Sequence, residues 1–139
     1  MSGKNQYITQ FNWQTTSPVT GFLPVNAKQS GGSIPSGTKS GTMSSTNTIY
    51  SQILEVSRMD NIGLELAWSG TPTGTFTLYG SNSGINFYSL SIGVGNPAGS
   101  ASGELINLTQ YPWKYLYLAY TNSSGTGALT GWAQLRDLN

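Results

Sequence analysis

Residues 61–90 read NIGLELAWSGTPTGTFTLYGSNSGINFYSL and decide the fold class of this chain. Large apolar residues alternate with small or polar ones in the first part of this stretch: Ile62, Leu64, Leu66 and Trp68. A period of two is the signature of a strand that buries one face. The Gly-, Pro- and Asn-rich segments at 69–74 and 81–84 predict tight turns. We therefore predict an antiparallel meander of three strands, the last of them over residues 85–92.

The rest of the sequence has the same character, because short apolar segments are separated by turn residues. Further strands are predicted over 49–58, 104–109, 114–121 and 128–136, with a hairpin turn at 122–127. The strand over 49–58 carries apolar residues on both faces, which favours a central position covered twice. No segment shows a helical period. The sequence therefore predicts an all-β fold, an antiparallel β-sandwich of jelly-roll type with about eight strands.

The N-terminal third differs from the remainder in composition. Residues 28–48 consist mainly of Gly, Ser and Thr, which is typical of a flexible, solvated segment. An alternating run, with Tyr7, Phe11 and Trp13 on one face, fits either a first strand of the core or an arm on a neighbouring subunit. We divide the chain into an N-terminal arm, residues 1–48, and a β-sandwich core, residues 49–139.

The composition excludes several classes of function. The chain of 139 residues has a net charge of +1, and its six Lys and Arg residues are scattered, so no nucleic-acid footprint is visible. It has no Cys and no His, which removes thiolate chemistry, the commonest general base and the commonest transition-metal ligand. The acidic residues form no metal or glycosidase motif. We therefore predict a protein without catalytic activity, cofactor or metal.

The sequence carries no targeting or membrane signal. Its first ten residues, MSGKNQYITQ, are polar and no apolar run follows them, so no signal peptide is expected. No window approaches the length and apolarity of a membrane span. We expect synthesis in the cytoplasm of a host.

Aromatic side chains are the candidate contact residues. We predict that four aromatic residues in the last third of the chain contact a glycan or another protein: Trp113, Tyr115, Tyr117 and Trp132. Tyr79 and Tyr88 are further candidates for a platform on which sugar rings stack. The alternative is that these rings belong to the core, because aromatic side chains dominate cores and interfaces alike.

Two resemblances rest on the turn motifs. The segment GTFTLYGSNSGINFYSL, followed later by Trp113-Lys114-Tyr115-Leu116, resembles the discoidin-like, galactose-binding jelly roll. The matching residues of that segment are Phe76, Leu78, Ser81, Asn82, Gly84 and Phe87. This resemblance implies a jelly-roll fold, and such domains often bind carbohydrate through loops at one end.

The chain also resembles small virion proteins of bacteriophages, over roughly residues 50–136. The motifs that carry this resemblance are Trp68 to Phe76, Gly80 to Gly84, Trp113 to Tyr115, and Tyr120 to Leu129. The resemblance implies a non-enzymatic virion protein, a decoration, penton or spike-base component, that contacts other capsid proteins. It further implies a homo-oligomer, a trimer or a pentamer. The alternative function is a carbohydrate-binding module or receptor-binding tip that uses exposed aromatic residues.

Overall fold

The computed structural model describes residues 5–15, 38–57, 59–109 and 111–137. These residues form no helix and ten strands, whose inward and outward positions alternate as the sequence predicts. The strands are β1 (Asn5–Gln10), β2 (Gly41–Met43), β3 (Thr48–Tyr50), β4 (Leu54–Glu55), β5 (Asn61–Trp68), β6 (Thr73–Ser81), β7 (Tyr88–Ser89), β8 (Ser102–Thr109), β9 (Tyr115–Ser124) and β10 (Gly127–Asp137).

The strands form two antiparallel sheets that pack face to face. Sheet 1 has the order β1-β10-β5-β8, and β2 also pairs with β10. Sheet 2 has the order β3-β9-β6-β7, and β4 also pairs with β9. Since β1 and β2 share one side of β10, and β3 and β4 share one side of β9, the ten strands fill about eight positions. The strand order is that of a jelly roll, so the predicted fold class is confirmed.

One hydrophobic core lies between the sheets. Strand β5 contributes the four alternating apolar residues of the opening stretch, and all four are buried. They belong to one cluster with Leu116, Leu118 and Tyr120 of β9. Burying such a side chain is worth about 1.5–3 kcal/mol. Alternation with a period of two therefore identifies the inner face of β5, whereas β9 carries buried side chains on both faces.

The predicted three-strand meander is wrong. Strands β5 and β6 lie in different sheets, so residues 69–72 cross the sandwich instead of forming a hairpin. The segment 122–127, likewise predicted to be a hairpin turn, carries the chain from β9 in sheet 2 to β10 in sheet 1. The two crossings pair with each other, since Thr71 N donates to Thr126 O at 2.8 Å. Crossing lets the apolar faces of consecutive strands bury each other across the core.

Only β6 and β7 form the predicted hairpin, and β7 is much shorter than the strand predicted over 85–92. It consists of Tyr88 and Ser89 alone, opposite Gly80 and Tyr79. The residues that follow β7 have no regular strand structure, yet Leu90 and Ile92 pack against the main core. Their apolar character therefore reflects the packing of this loop against the main core.

The N-terminal residues correct the predicted domain boundary. Strand β1 pairs with β10 along its whole length, and β2 pairs with the start of β10. Phe11 and Trp13 are buried in the main core, with ring centroids 5.5 Å apart, and Met43 is fully buried. Residues 5–15 and 38–48 are thus part of the sandwich and not an arm, because their apolar side chains complete its core. Residues 16–37, which include the first half of the Gly/Ser/Thr-rich segment, lie outside the described residues.

The predicted strand over 49–58 is divided into β3 and β4 by Ser51, Gln52 and Ile53. Ser51 is fully buried, and its Oγ accepts a hydrogen bond from Leu118 N at 2.9 Å. Both strands lie beside β9 at the side of sheet 2, so the predicted central position is wrong. The prediction that both faces are covered is confirmed, because Leu54 belongs to the main core and Ile53 to a second cluster on the outer face.

Candidate functional site: the two outer faces

The four predicted contact residues lie at three different places in the sandwich. Tyr115 and Tyr117 project from the outer face of sheet 2, on the side away from the main core. Trp132 lies on the outer face of sheet 1, opposite in parity to the buried Ala133. Trp113 packs against the main core. The structure therefore brings two of the four residues together and separates the other two.

The tyrosine cluster is the set of aromatic side chains on the outer face of sheet 2: Tyr50, Tyr79, Phe87, Tyr115 and Tyr117. Tyr117 lies at its centre and is only 4% exposed. Tyr79 stacks on it with ring centroids 4.9 Å apart and planes 12° apart, while Phe87 and Tyr50 meet it at 5.1 Å and 6.3 Å. The centre of this cluster is therefore a second small core, and its outer members are half-buried.

Hydroxyl groups and one carboxylate surround the tyrosine cluster on the same face. Thr48 and Thr121 lie directly opposite each other, with their Oγ1 atoms 2.9 Å apart. At the other end, Glu55 lies opposite Tyr115. Rings next to hydroxyl groups provide the two kinds of contact, stacking and hydrogen bonding, that a sugar requires.

The apolar strip is the set of exposed large apolar side chains on the outer face of sheet 1: Ile8, Leu105 and Trp132. Their exposed fractions are 60%, 78% and 42%. Trp132 lies directly opposite Glu65, and Glu65 lies directly opposite Leu105 on the next strand. Ile8 belongs to the neighbouring row, where it lies opposite Gln134. The members of the strip thus lie on three strands of the sheet, β1, β10 and β8, and Glu65 of β5 separates Trp132 from Leu105.

A notch opens in the apolar strip above Gly63. A Cβ atom added to Gly63 would have no other atom within 4 Å, so the space above this residue is free. The side chains around it are Ile8, Glu65, Leu105, Trp132 and Gln134. A shallower groove continues over Ala67 and Gly103 and is also lined by Glu104. The surface beside Trp132 therefore combines exposed apolar side chains, a cavity and negative charge.

Trp113 has a structural position at one end of the core. Its ring lies 5.6 Å from that of Tyr111, whose hydroxyl shares its one hydrogen between two carbonyl oxygens, Met59 O at 2.7 Å and Val56 O at 2.9 Å. Burial, together with the nearby charge of Asp60, raises the pKa of the Tyr111 hydroxyl well above its ordinary value. Burial likewise raises the pKa of Tyr120. These hydroxyls stay neutral and connect segments of the fold.

The described residues include no cluster of three or more His, Cys, Asp or Glu side chains that could hold a metal ion. In the same part of the chain, no helix is long and apolar enough to cross a membrane.

Sequence reasoning named Tyr115, Tyr117 and Trp132 but missed their surroundings. Tyr50 and Phe87 join the tyrosine cluster from strand β3 and from the loop before β7, far from Tyr117 in sequence. Ile8 and Leu105 similarly reach the apolar strip from strands that are distant in sequence. Ile8 and Leu105 alternate along their strands with inward residues such as Phe11 and Ile106, and this parity could have identified both as outward-facing.

The comparisons with known proteins support no family assignment. No family model matches the chain, and no curated protein matches its sequence. Among solved structures, the prophage-derived protein YomS of SPBc2 is similar, with a TM-score of 0.46 and 12% identity over 70% of this chain and 90% of that chain. A CBM4 structure gives a TM-score of 0.43 and 11% identity over 67% and 64% of the two chains. Tailspike protein 4 of bacteriophage CBA120 gives 0.43 and 11% over 92% of this chain and 19% of that chain. These values are too low to transfer a function, and the fold assignment rests on the strand order of the two sheets.

Proposed function

We propose that this chain is a non-enzymatic structural protein of a bacteriophage virion, a decoration, penton or spike-base component that acts through contacts with other capsid proteins. The observation that carries the proposal is the apolar strip on the outer face of sheet 1. Single exposed apolar residues are ordinary on protein surfaces. Here three large ones share one sheet face with an open notch, and grouped exposure of this kind marks interaction surfaces.

The composition of the strip is that of an interface centre. Trp is enriched among binding hot spots, the interface residues whose truncation to alanine weakens binding most. Charged residues are depleted at the core of an interface. Glu65 is the one charged residue in the row that contains Trp132 and Leu105. The low charge of the whole chain, 8% of residues, and the phage-type turn motifs agree with a role in assembly.

The proposal can be tested by complementation of a phage that lacks this gene. A variant with Trp132→Ser and Leu105→Ser removes two of the three side chains of the apolar strip. A matched control with Ile85→Ser and Tyr88→Ser removes two side chains, each 70% exposed, that lie outside sheet 1. We expect purified particles to contain similar amounts of the wild type and the control. The amount of the strip variant should be at least about tenfold lower, as quantified by mass spectrometry.

Circular dichroism and thermal unfolding of the two purified variants check that both are folded. Equal incorporation of the strip variant and the wild type would contradict the proposal.

The proposed assembly also includes a homo-oligomer, a trimer or a pentamer, in the virion. The apolar strip offers a surface that closed symmetric assembly could cover. Light scattering behind size-exclusion chromatography measures the solution mass, and we expect three or five times the mass of the 14.8 kDa chain. A monomer at every concentration tested would contradict this part of the proposal.

A second candidate function, carbohydrate binding, is favoured by the half-buried tyrosines beside a hydroxyl-rich row on sheet 2. A glycan array probed with the wild type and with Tyr79→Ala tests it. Binding to a sugar that the variant loses would support this function. An array without any bound glycan would count against it.

A further inference from the structure

We propose that the notch beside Trp132 binds the cationic side chain, an arginine or a lysine, of the protein that the apolar strip contacts. This inference rests on the proposed function and adds the chemistry of the partner. It concerns one row of the sheet, in which a carboxylate lies between two exposed apolar side chains.

The row places Glu65 in an unusual setting. The register puts Trp132 directly opposite Glu65 on one side and Leu105 directly opposite it on the other. Side chains directly opposite each other in an antiparallel pair have Cβ atoms about 4.5–5.5 Å apart. The Glu65 carboxylate is therefore adjacent to a large aromatic ring and to an exposed aliphatic side chain.

The charge of Glu65 is not neutralised by the described part of the chain. No basic side chain in that part lies within ion-pair distance of its carboxylate. Arg136 is the described basic residue on the same face, and it lies opposite Asn61, two rows from Glu65. Two rows correspond to four residues along a strand, or about 13 Å.

The shape of the notch fits a long cationic side chain. The free space above Gly63 can accept its tip. The methylene groups of a lysine or arginine would pack on Leu105, as such stems commonly do on apolar surface. The charged group would reach the Glu65 carboxylate and the face of the Trp132 ring, combining a charge-assisted hydrogen bond with a cation–π contact.

The apolar strip favours a protein over a sugar as the occupant. Leu105, the most exposed member of the strip, can pack against apolar side chains of a protein and offers no hydrogen bond to hydroxyl groups. A cationic residue flanked by apolar residues matches the whole row, with its charge opposite Glu65 and its neighbours on Trp132 and Leu105.

An NMR titration of the full chain tests this inference with two capped peptides. The first, acetyl-Gly-Leu-Arg-Leu-Gly-amide, carries the cation, and the second replaces arginine by citrulline, which has nearly the same shape and no charge. The probe signal is the indole N–H of Trp132. It can be assigned among the four tryptophans of the chain with a Trp132→Phe variant.

We expect the arginine peptide to shift the Trp132 signal with an affinity at least about tenfold higher than that of the citrulline peptide. Glu65→Gln should remove this difference. The matched control Glu55→Gln changes a carboxylate on sheet 2 and should preserve it. Raising the salt concentration should weaken the binding of the arginine peptide and leave that of the citrulline peptide unchanged.

Equal affinities of the two peptides, or no change with Glu65→Gln, would overturn the inference. A Trp132 shift caused by a neutral trisaccharide such as cellotriose, but not by the arginine peptide, would overturn it as well and assign the notch to a sugar. These outcomes are separate from the particle-incorporation test. If the strip variant is not incorporated but the peptides bind equally, the contact function stands and the cationic partner is wrong.

Discussion

The two outer faces of this sandwich both carry aromatic residues, and the structure gives those residues opposite environments. On sheet 2, Tyr117 lies opposite Tyr79 on the neighbouring strand, and its ring also contacts that of Tyr50. The rings therefore bury one another. On sheet 1, Trp132 is flanked by Gln10 and Glu65, which leave its ring open. The neighbours on adjacent strands, and not the residue type, therefore decide whether an outward aromatic side chain serves stability or contact.

The largest expected effect separates these two roles directly. Tyr117→Ala removes a ring that is 4% exposed, and we expect it to lower the free energy of unfolding by about 3–5 kcal/mol. Trp132→Ala should change it by less than about 1 kcal/mol, because that side chain is 42% exposed and lies outside both buried clusters. Urea unfolding followed by fluorescence measures both values. Similar losses for the two variants would abolish the contrast between the faces.

A smaller effect is expected from loss of the hydrogen bond between Ser51 and the backbone of β9, the strand that carries Tyr117. Ser51→Ala leaves the buried Leu118 N–H without its side-chain acceptor, at a cost of about 1–3 kcal/mol in unfolding free energy. Asn107→Ala, at an exposed position of sheet 1, serves as the control and should be near neutral. Denaturant unfolding measures the unfolding free energy of both variants. Slower amide exchange of Leu118 in Ser51→Ala than in the wild type would contradict the prediction.

The contact between stacked rings should appear as a coupling energy. A double-mutant cycle with Tyr79→Ala and Tyr117→Ala should give about 0.5–1.5 kcal/mol of coupling beyond additivity. The corresponding cycle with Trp132→Ala and Leu105→Ala, across Glu65, should be additive within about 0.5 kcal/mol in the isolated protein. Coupling of equal size on both faces would show that the apolar strip also packs on itself.

The smallest effect on stability is expected at the notch. Gly63→Val fills space in which an added Cβ meets no other atom, and valine favours strands. We expect a rise of less than about 1 kcal/mol in unfolding free energy together with loss of arginine-peptide binding. Thermal unfolding and the same NMR titration measure the two quantities. Retained binding in this folded variant would place the peptide elsewhere on the surface.

Much of the fold could be predicted because alternation is a local property. The apolar positions of β5, β9 and β10 follow from a period of two, and the turns follow from Gly, Pro and Asn. Pairing could not be predicted, because the segments at 69–72 and 122–127 have hairpin composition but cross between the sheets. A turn sequence specifies where the chain bends, whereas the core decides which sheet the next strand joins.

At the candidate site too, the direction of a side chain could be predicted from the sequence but its surroundings could not. The sequence by itself determined that this is an all-β chain, that β5 buries the face of Ile62, Leu64, Leu66 and Trp68, and that Tyr117 and Trp132 lie on opposite faces of their strands from Leu118 and Leu135. Only the tertiary structure decided that Tyr117 would be covered by Tyr79, Phe87 and Tyr50 while Trp132 stayed open beside Glu65. The physical reason is that the parity of a residue fixes its direction from the sheet, but its burial depends on side chains brought from distant strands by the register.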